Sequence, residues 1–145
     1  MEGVVADAEE AAAVDNNETL AGLAGRVPCP CCGYPTLHHR SHNEICLLCD
    51  WEDDADEAPA AHAAGFGPNG GHTLTEARNN FEVHRTMYAP GHSQRRRPDT
   101  RFERKTKELL IEAFDCLLKA VAADRSKLEK QVLLYERMLL EQAPR

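Results

Sequence analysis

Four cysteines come in two pairs, Cys29-Pro30-Cys31-Cys32 and Cys46-Leu47-Leu48-Cys49, each with two residues inside it and thirteen residues between the pairs. Two such C-x2-C turns set four thiolates on two short bends, which is the donor set a tetrahedral zinc ion accepts. The gap is slightly below the ~15–20 residues common at such sites. Gly33 supplies permissive backbone after the first pair, and Pro30 stiffens the same turn. The expected centre is therefore one structural zinc held by Cys29, Cys32, Cys46 and Cys49.

Other chemistry is open to the same residues. A catalytic zinc keeps one position free, so His38, His39 or His42 would replace a cysteine. A thioredoxin-like redox pair wants its C-x-x-C at a helix start between strands, a context this sequence lacks. Cys31 lies between two ligands and is either an alternative ligand or a spare thiol. Cys116 is expected to pack on the apolar side of the C-terminal segment.

Two charged stretches come next. Glu52, Asp53, Asp54, Asp56 and Glu57 place five carboxylates within six residues, beside the single tryptophan, Trp51. Carboxylates this dense can hold a hard cation, or work as an acid and base with His72, which is the basis of a metal-dependent hydrolase or nuclease reading. The structural alternative packs Trp51 over the cysteine turns and has Glu52–Asp54 accept hydrogen bonds from the amides of Asn69-Gly70-Gly71 and from Thr73 or Arg78. Arg95 to Lys107 holds seven bases against two acids. Such a run can neutralise phosphates, as a nucleic-acid-binding regulator would, or form a solvated first helical turn. No interleaved aromatics favour nucleic acid. No Gly-x-Gly-x-x-Gly, Walker loop, nucleophile elbow or His-Glu-x-x-His is present, so an enzyme has no positive motif.

The elements that must position these residues are short. Thr36–Arg40 and Asn43–Cys46 read as two strands about a polar turn at Ser41–Asn43. Thr73-Leu74-Thr75-Glu76 is a capping box, followed at helical spacing by Leu74, Ala77, Phe81 and His84 or Arg85 to about Met87. A loop from Pro59 to Gly71, with four glycines and two prolines, joins strand to helix. After a linker over 91–98, Thr100-Arg101-Phe102-Glu103 is a second capping box, and no Gly or Pro occurs from Thr100 to Ala143. Leu110, Phe114, Leu117, Leu118 and Val121 form one apolar face, and Leu128, Val132, Tyr135 and Leu139 another. With Ser126-Lys127-Leu128-Glu129 as a third possible cap, the segment over 99–142 is either one long helix or a helical hairpin, and the hairpin is expected.

The chain has 145 residues, 42% apolar and 28% charged, as for a globular protein of one domain's size. Its net charge of −7 is uneven: 1–25 has six acids and no base, 26–94 nine acids and four bases, and 95–145 nine acids and thirteen bases. Residues 1–25, without aromatics or a wide apolar stripe, are expected to be a disordered acidic arm. No run approaches the ~18 apolar residues of a spanning helix, and the N-terminal segment does not resemble a signal peptide. Cysteines without an export signal point to a reducing compartment, the cytoplasm. Residues 27–90 are fewer than the ~70–80 at which one core suffices, so a metal staple is expected there.

The ordered set Cys29-Pro30-Cys31-Cys32-Gly33-Tyr34-Pro35-Thr36-Leu37, Glu44-Ile45-Cys46, Cys49, Trp51-Glu52-Asp53-Asp54, Asn69-Gly70-Gly71, Leu74-Thr75-Glu76-Ala77-Arg78 and Asn80-Phe81 resembles the cysteine-rich CPCC family of small bacterial proteins. It spans roughly residues 27–83. The family usually has Pro-Val inside the second pair and an aromatic or glycine before the tryptophan, where this chain has Leu47-Leu48 and Asp50. The resemblance implies a zinc-ribbon-like module and assigns no reaction.

The resulting expectation is an α+β chain: a cysteine-rich zinc-binding module over 27–90 with a short β-hairpin and one helix, followed by the helical hairpin. Its function is expected to be binding. Apolar residues on several sides of the C-terminal segment, including Leu133, Leu134, Met138 and Leu140, point to a protein partner or to self-association, with nucleic acid less favoured and no membrane partner.

Overall fold

A computed structural model describes residues 23–54, 67–92, 95 and 97–142. Most of the acidic arm, together with Asp56, Glu57 and Arg96, lies outside the described residues. The elements are β1 (Glu44–Ile45), β2 (Glu52–Asp53), α1 (Leu74–His84), α2 (Arg101–Lys119) and α3 (Ala122–Leu140). The architecture is mixed α+β, with the two C-terminal helices packed on one another as a hairpin. None of the helices described is long and apolar enough to cross a membrane.

The strands differ from expectation. β1 pairs antiparallel with β2, Glu44 opposite Asp53 and Ile45 opposite Glu52, rather than with Thr36–Arg40. The bend of the second cysteine pair reverses the chain just after Ile45, which brings 52–53 back beside 44–45. Thr36–Arg40 is left with one bridge, Leu37 to Val27, made of two backbone hydrogen bonds of 2.8 and 3.2 Å.

Both capping boxes form. The Thr73 and Thr100 hydroxyls accept from the amides of Glu76 and Glu103, whose carboxylates accept from the Thr73 and Thr100 amides, so two free donors are satisfied at each helix start. α1 ends at His84, short of Met87, because Arg85 adopts the left-handed conformation (φ 60°) and its amide donates to Phe81 O. α3 begins at Ala122, not at Ser126. Extended backbone at Ala120 and Val121 breaks the helix, and Val121 provides no side-chain cap.

Each helix of the hairpin buries one stripe. Leu110, Ile111, Ala113, Phe114 and Leu117 of α2 turn inward with Val132 and Leu139 of α3. Leu118 and Val121, expected on the apolar face, are 68% and 66% exposed, and Cys116, expected to pack, is exposed too. Cys116 and Leu118 stand one position before and one after Leu117 of the inward stripe, so about 100° of helical rotation per residue carries them out. Leu134 and Leu140 are also exposed, while Leu133 packs partly on the core.

One core runs through both halves, from Leu23, Leu37, Leu48, Trp51, Phe81 and Met87 to Leu110, Phe114 and Val132. Tyr34 joins them, stacked on Phe114 at 5.3 Å between centroids, with its hydroxyl donating to Asp115 at 2.9 Å. Arg26, just before the first cysteine pair, makes a two-pronged ion pair with Glu136 of α3, at 2.6 and 2.9 Å.

Candidate metal centre

The two cysteine pairs form two copies of one bend. In the first, the Cys29 carbonyl accepts from Gly33 N–H at 2.8 Å and the Cys29 amide donates to Tyr34 O at 2.9 Å. In the second, the Cys46 carbonyl accepts from Asp50 N–H at 2.9 Å and the Cys46 amide donates to Trp51 O at 2.8 Å. The residue after each pair has positive φ, 83° at Gly33 and 75° at Asp50. Short antiparallel contacts close both bends, Val27 with Leu37 and β1 with β2.

Facing bends bring the Sγ atoms of Cys29, Cys32, Cys46 and Cys49 within 4.8 Å of one another. Cys29 to Cys49 is 3.6 Å and Cys32 to Cys46 is 3.8 Å. A tetrahedral ion with metal–sulfur bonds of ~2.3 Å has sulfur–sulfur edges of about 3.8 Å, so the four sulfurs already stand near the corners such an ion requires. Cys29, Cys46 and Cys49 are buried and Cys32 is partly exposed. Among the described residues this is the single group of three or more ligand-type side chains close enough to share one ion.

The surroundings supply donors to the sulfurs. The amides of Cys31 and Cys49 point at Cys29 Sγ and Cys46 Sγ, at 3.4 and 3.5 Å, and the Thr36 hydroxyl lies 3.0 Å from Cys46 Sγ. Burial alone would push the Cys46 thiol up, but hydrogen bonds from Cys29, Cys32, Cys49 and Thr36 bring it well below its usual range. Cys32 is pushed up by hydrogen bonds to Cys29 and Cys46, and Cys49 by burial and its sulfur neighbours. Cys46 thus gives up its proton readily while Cys32 and Cys49 hold theirs, and a bound cation would favour the thiolate form of each.

Trp51, 1% exposed, belongs to the same core cluster as the ligands. Asn69 grips β2 from outside: its side chain accepts from Glu52 N–H at 2.7 Å and donates to Glu52 O at 3.0 Å, as a neighbouring strand would. Met87 N–H donates to Cys49 O at 2.7 Å, and Arg78 Nε to Pro30 O at 2.9 Å. α1 and its flanks therefore clamp both bends.

The remaining sequence candidates have other places. His38 pairs with Glu44 at 2.7 Å, while His39 and His42 stack on each other at 4.9 Å, so none replaces a cysteine. Cys31 is buried outside the four-sulfur set. The carboxylate of Asp53 does not accept from the Asn69–Gly71 amides; it accepts from Arg40 Nε and Ser41 N–H, both at 2.8 Å. Its 4% exposure marks a structural anchor. His72 is also buried, with Nδ1 3.0 Å from Asn69 O and Nε2 accepting from Ala89 N–H. In the basic stretch, Arg95 pairs with Asp99, Arg97 with Glu103 and Lys107 with Asp99, each at 2.7 Å. Lys107 and Glu103 are fully buried rather than on a solvated turn, because the side chains of Arg97 and Asp99 fold back over the start of α2. Sequence reasoning missed Thr36, Asn69 as a strand mimic, and Arg26; Asn69 lay within a motif, but nothing local indicated its role.

No curated protein and no solved structure matches this chain. The family model described as Cysteine-rich CPCC matches residues 27–101, a span that takes in both bends, the clamping helix and the linker beyond the motifs. With that match over more than half of its length, the chain belongs to the cysteine-rich CPCC family.

Proposed function

We propose that the protein is a zinc-binding interaction module in which Cys29, Cys32, Cys46 and Cys49 hold one structural zinc ion. The observation that carries this reading is the four-sulfur cluster, with edges of 3.6 and 3.8 Å, from which the neighbouring Cys31 thiol, set against Cys49, is left out. A catalytic zinc keeps a position for water, whereas a site of four thiolates is saturated. Tetrahedral sulfur also suits iron, so the metal must be identified by measurement. The binding role rests on the hairpin: Leu118, Val121, Leu134 and Leu140 are all exposed, apolar surface that a second copy or another protein would cover. The cytoplasm, where thiols stay reduced, is the compartment that fits this chemistry.

Mass spectrometry of protein purified without added metal is expected to find one zinc per chain. Thiol titration should show Cys116 reacting at once and Cys31 slowly. Iron, or less than one metal ion per chain, would overturn the zinc assignment. Sedimentation should show association that Leu118→Ser with Leu134→Ser weakens, or no self-association and capture of a partner through these residues; association unchanged in the double variant would refute the role of the hairpin.

A further inference from the structure

Away from the thiols, this acidic chain gathers positive charge in one place. A cavity of about 290 Å³ opens beside the start of α2, and Arg95, Arg97, Arg104, His84, Tyr88 and His92 are among the residues lining it. Its volume is just below the ~300–1,000 Å³ typical of small-molecule sites, which suits a small ion.

The ion pairs around it do not balance. Arg95 and Lys107 share Asp99, both at 2.7 Å, and Arg97 holds Glu103 at 2.7 and 2.9 Å. Arg85 and Arg104 share Glu108, the first at 3.0 Å and the second at only 3.8 Å. Among the described residues five cations thus share three carboxylates, and three of the five, Arg95, Arg97 and Arg104, line the cavity with one of the carboxylates, Asp99. Asp50, which accepts from the Thr86 hydroxyl at 3.0 Å at the edge of the cavity, reduces the excess without removing it.

One donor in the lining is also left over. Arg95 Nε is buried with no hydrogen-bond partner among the described residues, while Nη2 of the same group is on Asp99. A buried donor left unmade is costly, and a ligand that accepts from it recovers that cost. Burial and the nearby Asp50 carboxylate push Tyr88 above its usual range, so its hydroxyl keeps its proton and can donate.

We propose that this cavity binds a small oxyanion of the phosphate class, with Arg95 and Arg104 supplying the charge and donors that the protein's own carboxylates leave over. Guanidinium groups match the geometry of a phosphoryl group and are the favoured residues for it. The side chain of Arg95 is only 15% exposed and that of Arg104 47%, so one charge sits within the fold and the other at the mouth of the cavity. A polyanion is instead tracked by cations along an open surface, which makes a single phosphoryl group the better occupant.

Isothermal titration of the full, metal-loaded chain with inorganic phosphate, and separately with phenyl phosphate, tests this, with chloride at matched ionic strength as control. Saturable binding is expected, weakened about tenfold in Arg104→Ala, where a half-exposed side chain is removed and retained metal and helical signal report the fold. Arg95→Gln should lose binding; if it fails to fold, Arg104→Ala still decides. Equal affinity for the two compounds would mark free phosphate as the ligand, and tighter phenyl phosphate a phosphomonoester; both support the site. No saturable binding of either, binding unchanged in Arg104→Ala, or binding confined to an oligonucleotide with steep salt dependence would overturn it.

Discussion

Asp50 occupies in the second cysteine bend the position that Gly33 occupies in the first: both follow their cysteine pair, both have positive φ, and both amides close onto the carbonyl of the leading cysteine. Glycine takes that conformation freely, whereas a side chain pays ~1–2 kcal/mol in backbone strain. Asp50 recovers part of this by accepting from the Thr86 hydroxyl at 3.0 Å. The two effects separate in a double-mutant cycle. Once Thr86→Val has removed the hydrogen bond, Asp50→Gly is expected to stabilise the metal-loaded protein by ~1 kcal/mol in urea unfolding. A loss of stability in both backgrounds would show that strain at Asp50 is not the controlling effect.

Substitution at the cluster should be all-or-none. Cys29→Ser, Cys46→Ser or Cys49→Ser is expected to release the metal and unfold residues around the bends, since a site of this kind contributes ~10–16 kcal/mol at neutral pH. Cys116→Ser should leave metal content and melting temperature unchanged, and Cys31→Ser should keep the metal. Metal analysis with circular dichroism checks all five, and a strong chelator should reproduce the unfolded form in the wild type.

Arg26 and Glu136 present a nearly buried pair, their side chains 9% and 6% exposed. Removing one member leaves the other charged and unpaired, so Glu136→Ala is expected to cost ~3–5 kcal/mol, read as a shift in denaturant midpoint. An effect below ~1 kcal/mol would place the pair with ordinary surface bridges.

α3 starts without a side-chain cap, at an exposed Val121. Val121→Ser or Val121→Asp supplies an oxygen for the first free amides and removes no buried contact. A gain of ~0.5–2 kcal/mol in thermal unfolding is expected. No gain would show that the break at Ala120 and Val121 is held by packing rather than by its end groups.

How far the sequence revealed this structure follows the range of each interaction. The cysteine cluster was legible because a C-x2-C bend is a local object whose geometry is set within five residues. Helix starts at Thr73 and Thr100 were legible for the same reason, since the reciprocal bonds to Glu76 and Glu103 span three residues. The strand pairing was misplaced: two-residue strands carry almost no periodic signal, and the second bend, rather than the turn at Ser41–Asn43, reverses the chain. The start of α3 was misplaced because Val121 lacks capping chemistry. Arg85 ends α1 in a left-handed conformation without the glycine that usually announces it. Asn69 to Glu52 and Arg26 to Glu136 left no local trace, because each joins residues far apart in the chain.

The strap formed by Arg26 also has a consequence for how the protein is made. Both cysteine bends leave the ribosome well before α3, whereas Glu136 follows Arg26 by 110 residues. At ~5–20 residues per second, Arg26 waits roughly 5 to 20 seconds for its partner. The four cysteines are therefore all in place early in synthesis, while docking of the segment around Leu23 and Arg26 against the hairpin has to wait for α3.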